Sequence, residues 1–417
     1  MKQLTFFMLL GIVLLASKTF AEETAYGQLN IKYTAEQYDS LFSKYYDDSI
    51  LSSYDNFLEK FVDIDIDKVV DSEHIPDSVY QARLKMIASV IPLPYNDVIR
   101  KYIIAYTNRL RRSMGSMLGL AQYYFPLFEE ELDRQGLPAE LKILPIIESA
   151  LYPKAVSRAG ATGLWQFMLT TGRGMGLEIN SFVDERMDPI ASTQAACRYL
   201  SILHSIYDDW TLAIAAYNCG PGNVNKALKR APNAKTYWDI YNYLPRETRG
   251  YIPSFIAATY AYTFYKAHNI EPQLAIRPVV TDTVTIDKMM HLEQVASTID
   301  LPIDVLRELN PQYKRDIIPP GIDKKYALVL PQSHVSVFIE NETDIYAKDS
   351  IYLAKYMTPS GLAAGKTMLA QQTYKVKKND VLGSIARKHG VTVSALMREN
   401  NLKNANTLRV GQVLVIP

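Results

Sequence analysis

The sequence predicts an α+β multidomain protein, a mainly α domain followed by small βααβ modules. Two observations carry that prediction. Between about residues 92 and 268, long runs such as 98–132 and 192–217 place apolar residues three and four apart, separated by Gly and Pro breaks. Beyond residue 272 the order strand, helix, helix, strand occurs twice, in 279–331 and again in 373–416. The size agrees: 417 residues correspond to about two to three domains at roughly 150 residues each. With 48% hydrophobic and 21% charged residues, the chain is globular, which excludes disordered, collagenous and coiled-coil classes.

Taken from the start, residues 1–21 (MKQLTFFMLLGIVLLASKTFA) join a single early Lys to an apolar run and small residues before Ala21. That pattern predicts a secretory signal, too short for a stable membrane span. Its removal would delete Lys2 and Lys18, taking the formal charge from +1 to −1. No Cys stands near the cleavage point to carry a lipid. The expectation is an exported, periplasmic protein without a lipobox, with outer-membrane association left open.

Residues 22–89 read as an acidic, Tyr-rich helical lead-in, with 12 acids against 4 bases in 22–72. Residues 90–270 form the helical domain. After it come a first module (279–331: VVTDTVTI, HLEQVASTID, PIDVLRELN, YALVLP), a loose connector (332–372) and a last module (373–417: YKVKK, VLGSIARKHG, TVSALMRENN, QVLVI). From Gln371 onward there are 8 bases and 2 acids, a charge suited to an anionic surface or simply to solubility.

Several chemistries are excluded. The six His are scattered and there are only two Cys, so no metal-ligand spacing exists and no metal or cofactor is expected. A near-zero net charge gives no reason for nucleic-acid binding. Neither a GxSxG elbow nor a phosphate loop is present. Cys197 and Cys219 sit in apolar helical surroundings and are read as free thiols, although export would permit a disulfide.

Glu148 stands out in LKILPIIESALYP, a lone acid among apolar neighbours. If buried, it would hold its proton to neutral pH, as a general acid must. From the spacing alone, a helix acid facing solvent is the commoner explanation. Two more segments point to a site. GATGLWQF (160–167) could stack on and hydrogen-bond a sugar, and AAYNCGPGNV (215–224) ends an apolar helix with Tyr217 and Asn218 at its tip. Singly, Trp165 would be core and Asn218 a cap.

The series IESALYPKAVSRAGATGLWQF, DERMDPIASTQAACRYL, AAYNCGPGNV and RETRGYIPSFIAA resembles the successive motifs of the lytic transglycosylases with a soluble-type lysozyme-like domain. Membrane-bound D-type members are the nearest, and the likeness spans about residues 90–265. The closing segment resembles a LysM module, and 279–331 a degenerate copy without the turn that Asn379-Asp380 roughly keeps. The resemblance implies cleavage of the N-acetylmuramic acid–N-acetylglucosamine bond of peptidoglycan with 1,6-anhydro ends, LysM binding to N-acetylglucosamine-containing glycan, and a monomer. It implies Glu148 as catalytic acid/base, with Ser149, Gln166, Tyr217, Asn218 and Tyr251 binding substrate or the carboxyl. Cys219 stands where the family more often has Ala. The alternatives are a muramidase on the same fold, with the acids of DERMDP as helpers, or a wall-binding protein without activity. Those acids read more simply as turn and helix-start residues with an ion pair to Arg186.

Overall fold

The computed structural model describes residues 61–417, apart from 158, 274–279, 321–323, 354–371, 378–379, 390, 401, 403, 405–407 and 417. The signal segment, most of the lead-in, the later connector and Asn379 therefore lie outside the described residues.

The helical domain contains α1 (Asp77–Met86), α2 (Asp97–Ile104), α3 (Arg111–Arg134), α4 (Leu144–Ser149), α5 (Leu169–Gly174), α6 (Pro189–Tyr207), α7 (Trp210–Cys219), α8 (Pro221–Arg230), α9 (Tyr237–Ile240) and α10 (Arg246–Phe264). Sequence-local chemistry sets the ends. Asn96, Asp188 and Asp209 each accept a backbone N–H as N-caps of α2, α6 and α7. Gly220, at φ +83°, stops α7, and Pro221 opens α8.

α10 runs through the core, buried from Thr248 to Ala261 along nearly its whole length. The chain just before α1 packs on it, which the sequence reading placed outside the domain. Ser254 and Tyr106 both donate to the Phe61 carbonyl at 2.8 Å, and Tyr102 donates to that of Val62 at 2.8 Å. A Cβ on Gly250 would fall 2.0 Å from the Val62 carbonyl oxygen, so this approach requires glycine. Phe61 and Val62 are fully buried. The lead-in thus ends as part of the helical domain's core.

The first module pairs β1 (Thr281–Ile286) with β4 (Tyr326–Pro331) antiparallel, Ile286 opposite Tyr326. Between them lie β2 (Met290–His291), α11 (Leu292–Ile299), α12 (Ile303–Leu309) and β3 (Ile317–Ile318). The expected loose connector is instead helical at first, as α13 (Gln332–Glu340), α14 (Glu342–Ala347) and α15 (Asp349–Tyr352). Phe338, Ile345 and Leu353 are buried at spacings of about two turns, and Gln294 donates to the Ile345 carbonyl at 3.0 Å. The last module repeats the plan with β5 (Gln372–Lys375), α16 (Leu382–Lys388), α17 (Val393–Glu399) and β6 (Val413–Ile416), β5 pairing with β6.

One asparagine shows that the two copies share a construction. In the first, the Asn310 amide brackets the last strand, donating to the Val329 carbonyl and accepting from its N–H, both at 2.8 Å. In the last, Asn400 does the same to Val415, both at 2.6 Å.

Candidate active site

The six residues of α4 are all buried, and a turn of 3-10 helix (Ala139–Ile143) feeds into it. α4 ends on two non-glycine residues in the left-handed region, Ala150 (φ 52°) and Leu151 (φ 63°). Such backbone costs on the order of 1–3 kcal/mol per residue and persists only where its surroundings enforce it. Here the Leu151 N–H closes back on the Pro145 carbonyl at 3.2 Å. Glu148 is thereby fixed in the interior, 6% exposed. Burial raises its pKa from 4.5 to about 8; the Tyr251 hydroxyl, donating to its Oε1, lowers it in part, and the charge of Glu247 raises it. At neutral pH it is a protonated acid in a cleft.

Gly160 to Phe167 fold into a tight turn, with Thr162 bridged to both Val156 and Phe167. Gly163 (φ +89°) lies so near the Arg186 carbonyl that a Cβ would come within 1.7 Å of its oxygen. Trp165 faces inward, fully buried, donating to Thr193 Oγ1 at 2.9 Å, so it is core and not a stacking platform. Gln166 (φ 48°) donates from Nε2 to the Gly163 carbonyl at 2.8 Å and the Ala155 carbonyl at 3.2 Å. Its Oε1 is buried without a partner among the described residues.

α7 delivers Tyr217 and Asn218. Tyr217 donates to the Trp165 carbonyl at 2.8 Å, tying α7 to the turn. Asn218 Oδ1 accepts from Thr248 Oγ1 at 2.8 Å, tying α7 to α10. Tyr251 sits two residues before Pro253, which cannot donate to the carbonyl four residues earlier, that of Arg249. The Tyr237 hydroxyl donates there instead, at 2.7 Å, so the helix carrying Tyr251 stays capped through its proline.

These parts enclose a cleft of about 660 Å³ lined by Glu148, Gln166, Phe167, Met168, Tyr199, Tyr217, Asn218, Cys219 and Glu247, with Arg387 of α16 at its wall. Of the residues expected from sequence, Glu148, Gln166, Tyr217 and Asn218 line the cleft, and Tyr251 reaches it through Glu148. Ser149 does not: its hydroxyl points away, donating to the Pro145 (3.1 Å) and Leu164 (2.9 Å) carbonyls. It clamps α4 to the turn, because a helix of six residues places neighbours about 100° apart and only one of the two can face the cleft. Glu247, exposed and 3.4 Å from the Asn218 amide, and Arg387 were not foreseen. Glu247 stands in the quoted RETRGY, so its signal was present; Arg387 had none.

Comparison with known proteins places the chain in a family. Residues 125–240 match the Transglycosylase SLT domain, 280–347 the LysM-like domain of lytic transglycosylase MltD, and 374–417 the LysM domain. Membrane-bound lytic murein transglycosylase D of Escherichia coli is 30% identical over 328 residues, covering 78% of this chain and 70% of that protein. The chain belongs to the lytic transglycosylase family. Over 45 residues it is also 56% identical to N-acetylmuramoyl-L-alanine amidase XlyA of Bacillus subtilis, covering 11% of this chain and 15% of that one. Among solved structures, the 70 kDa soluble lytic transglycosylase of Escherichia coli matches at 21% identity and TM-score 0.34, covering 57% of this chain and 36% of that one.

This transglycosylase is therefore a peptidoglycan-directed enzyme with LysM modules for binding the wall. The match over 280–347 also takes in α13 and α14, as the packing of Phe338 and Ile345 does. The acids of DERMDP are occupied elsewhere. Asp184 holds Arg186 in a buried two-bond pair at 2.8 and 2.9 Å, and Arg186 donates onward to the Gly160 (2.9 Å) and Phe167 (3.2 Å) carbonyls of the turn. Asp188 caps α6, and Glu185 accepts from the Glu178 N–H at 2.7 Å and from Lys324. The same loop binds the first module: the Asp184 N–H donates to the Gln312 carbonyl at 2.9 Å and that of Lys314 to Phe182 at 2.7 Å. Cys197 and Cys219 are free thiols. Among the described residues no group of His, Cys, Asp and Glu could hold a metal, and no helix is long and apolar enough to cross a membrane.

Proposed function

We propose that Glu148 is the single catalytic acid/base, cutting the β-1,4 bond between N-acetylmuramic acid and N-acetylglucosamine without water. One observation carries this reading: a buried carboxyl, protonated to about pH 8, opens on a sugar-sized cleft in which every acid of DERMDP is missing from the lining. Protonated Glu148 gives its proton to the glycosidic oxygen as the C1–O4 bond breaks, and positive charge develops at C1. The substrate's acetamido group assists at C1, as in other substrate-assisted glycosidases. The glutamate, now ionised and steadied by the Tyr251 hydroxyl, takes the proton of the muramic C6 hydroxyl. O6 closes on C1, giving the 1,6-anhydro ring and restoring the acid.

The remaining roles follow from position. Gln166 lines the cleft and braces its turn, with Nε2 donating to the Gly163 and Ala155 carbonyls. Tyr217 and Phe167 offer aromatic surface to a sugar face, and the Asn218 amide offers polar contacts to hydroxyls. Ser149 is a positioning residue. The chain works as an exported, periplasmic monomer, with 1–21 as its signal, 61–270 as the catalytic unit, 280–352 as the first module and 373–417 as the second, which binds N-acetylglucosamine-containing glycan.

The test is mass spectrometry of soluble products from purified sacculi treated with wild type and with Glu148→Gln. The expected products are one water lighter than a lysozyme's and fall by about 10²–10⁴-fold or more in the variant. Ordinary reducing ends would make the protein a muramidase, and undiminished lysis by Glu148→Gln would remove Glu148 from the chemistry.

A further inference from the structure

The cleft wall contains one residue from more than a hundred positions beyond the catalytic domain. Arg387, near the end of α16 in the last module, lines the same cleft as Glu148. Its aliphatic stem lies on the GATGLWQF turn: a Cβ on Gly160 would fall 2.5 Å from Arg387 Cγ and 2.9 Å from Cδ. Gly160 is at φ +85°, and its carbonyl is held by Arg186, so the surface on which Arg387 rests is fixed from behind. The last module also borders the first. Burial chiefly, then the charges of Lys388, Lys314 and Arg315, keep His389 below the ordinary histidine value, and the last two belong to the first module.

The charges in the cleft differ in kind. Its described acids are Glu148, which keeps its proton, and Glu247; its other described lining residues are neutral, and Arg387 is the cation among them. Sugar rings in a glycan strand give a cation little to recognise, whereas each muramic residue carries a peptide stem with free carboxylates. A guanidinium meets a carboxylate through two parallel N–H bonds, a geometry that ammonium does not reproduce.

Building on the cleft described above, we infer that Arg387 of the last module is a specificity residue of the active site, binding a stem-peptide carboxylate of the strand being cut. The module then does more than hold the wall: it completes the catalytic cleft and favours strands that still carry their stems.

The experiment compares two defined substrates, glycan strands with intact peptide stems and the same strands stripped by an amidase, which leaves only the lactyl carboxylate on the sugar. Full-length wild type, Arg387→Ala, Arg387→Glu and Arg387→Lys are assayed on both for kcat and KM. Arg387→Ala should lose roughly tenfold in kcat/KM on stem-bearing strands, mostly through KM, as expected for a lost charge-assisted hydrogen bond. On stripped strands it should stay within about twofold of wild type. Arg387→Glu should lose more, and Arg387→Lys should recover only part of the loss. Unequal effects on the two substrates separate binding from misfolding, which would lower both. Equal losses on both substrates, no loss on either, or a gain in rate would each overturn the inference, the gain by making the module an obstruction. Wild-type activity on stripped strands reports independently on the Glu148 chemistry.

Discussion

Two buried acids of the catalytic domain have opposite roles. Glu148 is 6% exposed and Asp184 2%, so both have left water. Asp184 has a guanidinium in two-bond contact, whereas Glu148 has the neutral Tyr251 hydroxyl. Desolvation alone drives a carboxyl toward its neutral form, and a paired cation opposes that. Burial therefore does not mark a catalytic acid. What marks it is burial without a cation, at a place where substrate can arrive. The first acid can give a proton, and the second holds the wall of the cleft in shape.

Removing the Glu148 carboxyl, as tested above, is the largest perturbation the comparison offers. Next is Arg186→Met, which gives Asp184 the isolation that Glu148 has. Leaving a buried charge unpaired costs about 3–5 kcal/mol, and the Gly160 and Phe167 carbonyls lose a donor as well. A sharp fall in melting temperature is expected. Adding Asp184→Leu should restore only part of it, because those carbonyls stay unpaired.

The third test uses pH. Between the unfolded value near 4.5 and the folded value of about 8, native Glu148 holds a proton that the unfolded chain has released. Stability contributed by this residue is therefore complete below about pH 4.5 and is lost as pH rises toward 8, by a few kcal/mol at most. Urea titrations of wild type and Glu148→Gln across pH 5 to 8 should diverge, with the variant relatively more stable at the upper end. Parallel curves would mean that Glu148 is not held protonated. Activity should decline above about pH 8 for the same reason.

Tyr251→Phe is the mildest. It removes the donor that favours ionised Glu148, so the alkaline limb of the pH–rate profile should move upward while the rate at neutral pH falls roughly tenfold, the worth of a hydrogen bond to a charged group. An unmoved limb would detach Tyr251 from the carboxyl.

The sequence made much of this legible where the signal is local. Apolar spacing located the helical domain, and the lone acid in LPIIES and the abrupt end of AAYNCG marked residues that the fold brings to one cleft, whereas RETRGY was marked only by the family resemblance. Orientation was not legible. Ser149 and Glu148 are adjacent, and only packing decides which faces the cleft. The helices α13 to α15 were missed because their buried stripe of Phe338, Ile345 and Leu353 is narrow and is blurred by apolar residues that stand exposed, Ile339 and Ile351. Phe61 and Val62 were missed because two residues against a distant helix form no periodic pattern. Arg387 reaches the cleft across the whole chain, and no local pattern encodes that.

The backbone pairing between residues 182–184 and 312–314 has a thermodynamic consequence. Two domains joined by main-chain hydrogen bonds and the ion pairs of Lys324 cannot melt independently without breaking that seam. The catalytic domain and the first module thus form one cooperative unit. By mass action, a sugar bound only by the native cleft stabilises every part of the unit that must unfold with it. Glycan seated at Glu148 would raise the melting point of a module it never touches, and weakening the seam would return to each part its own transition.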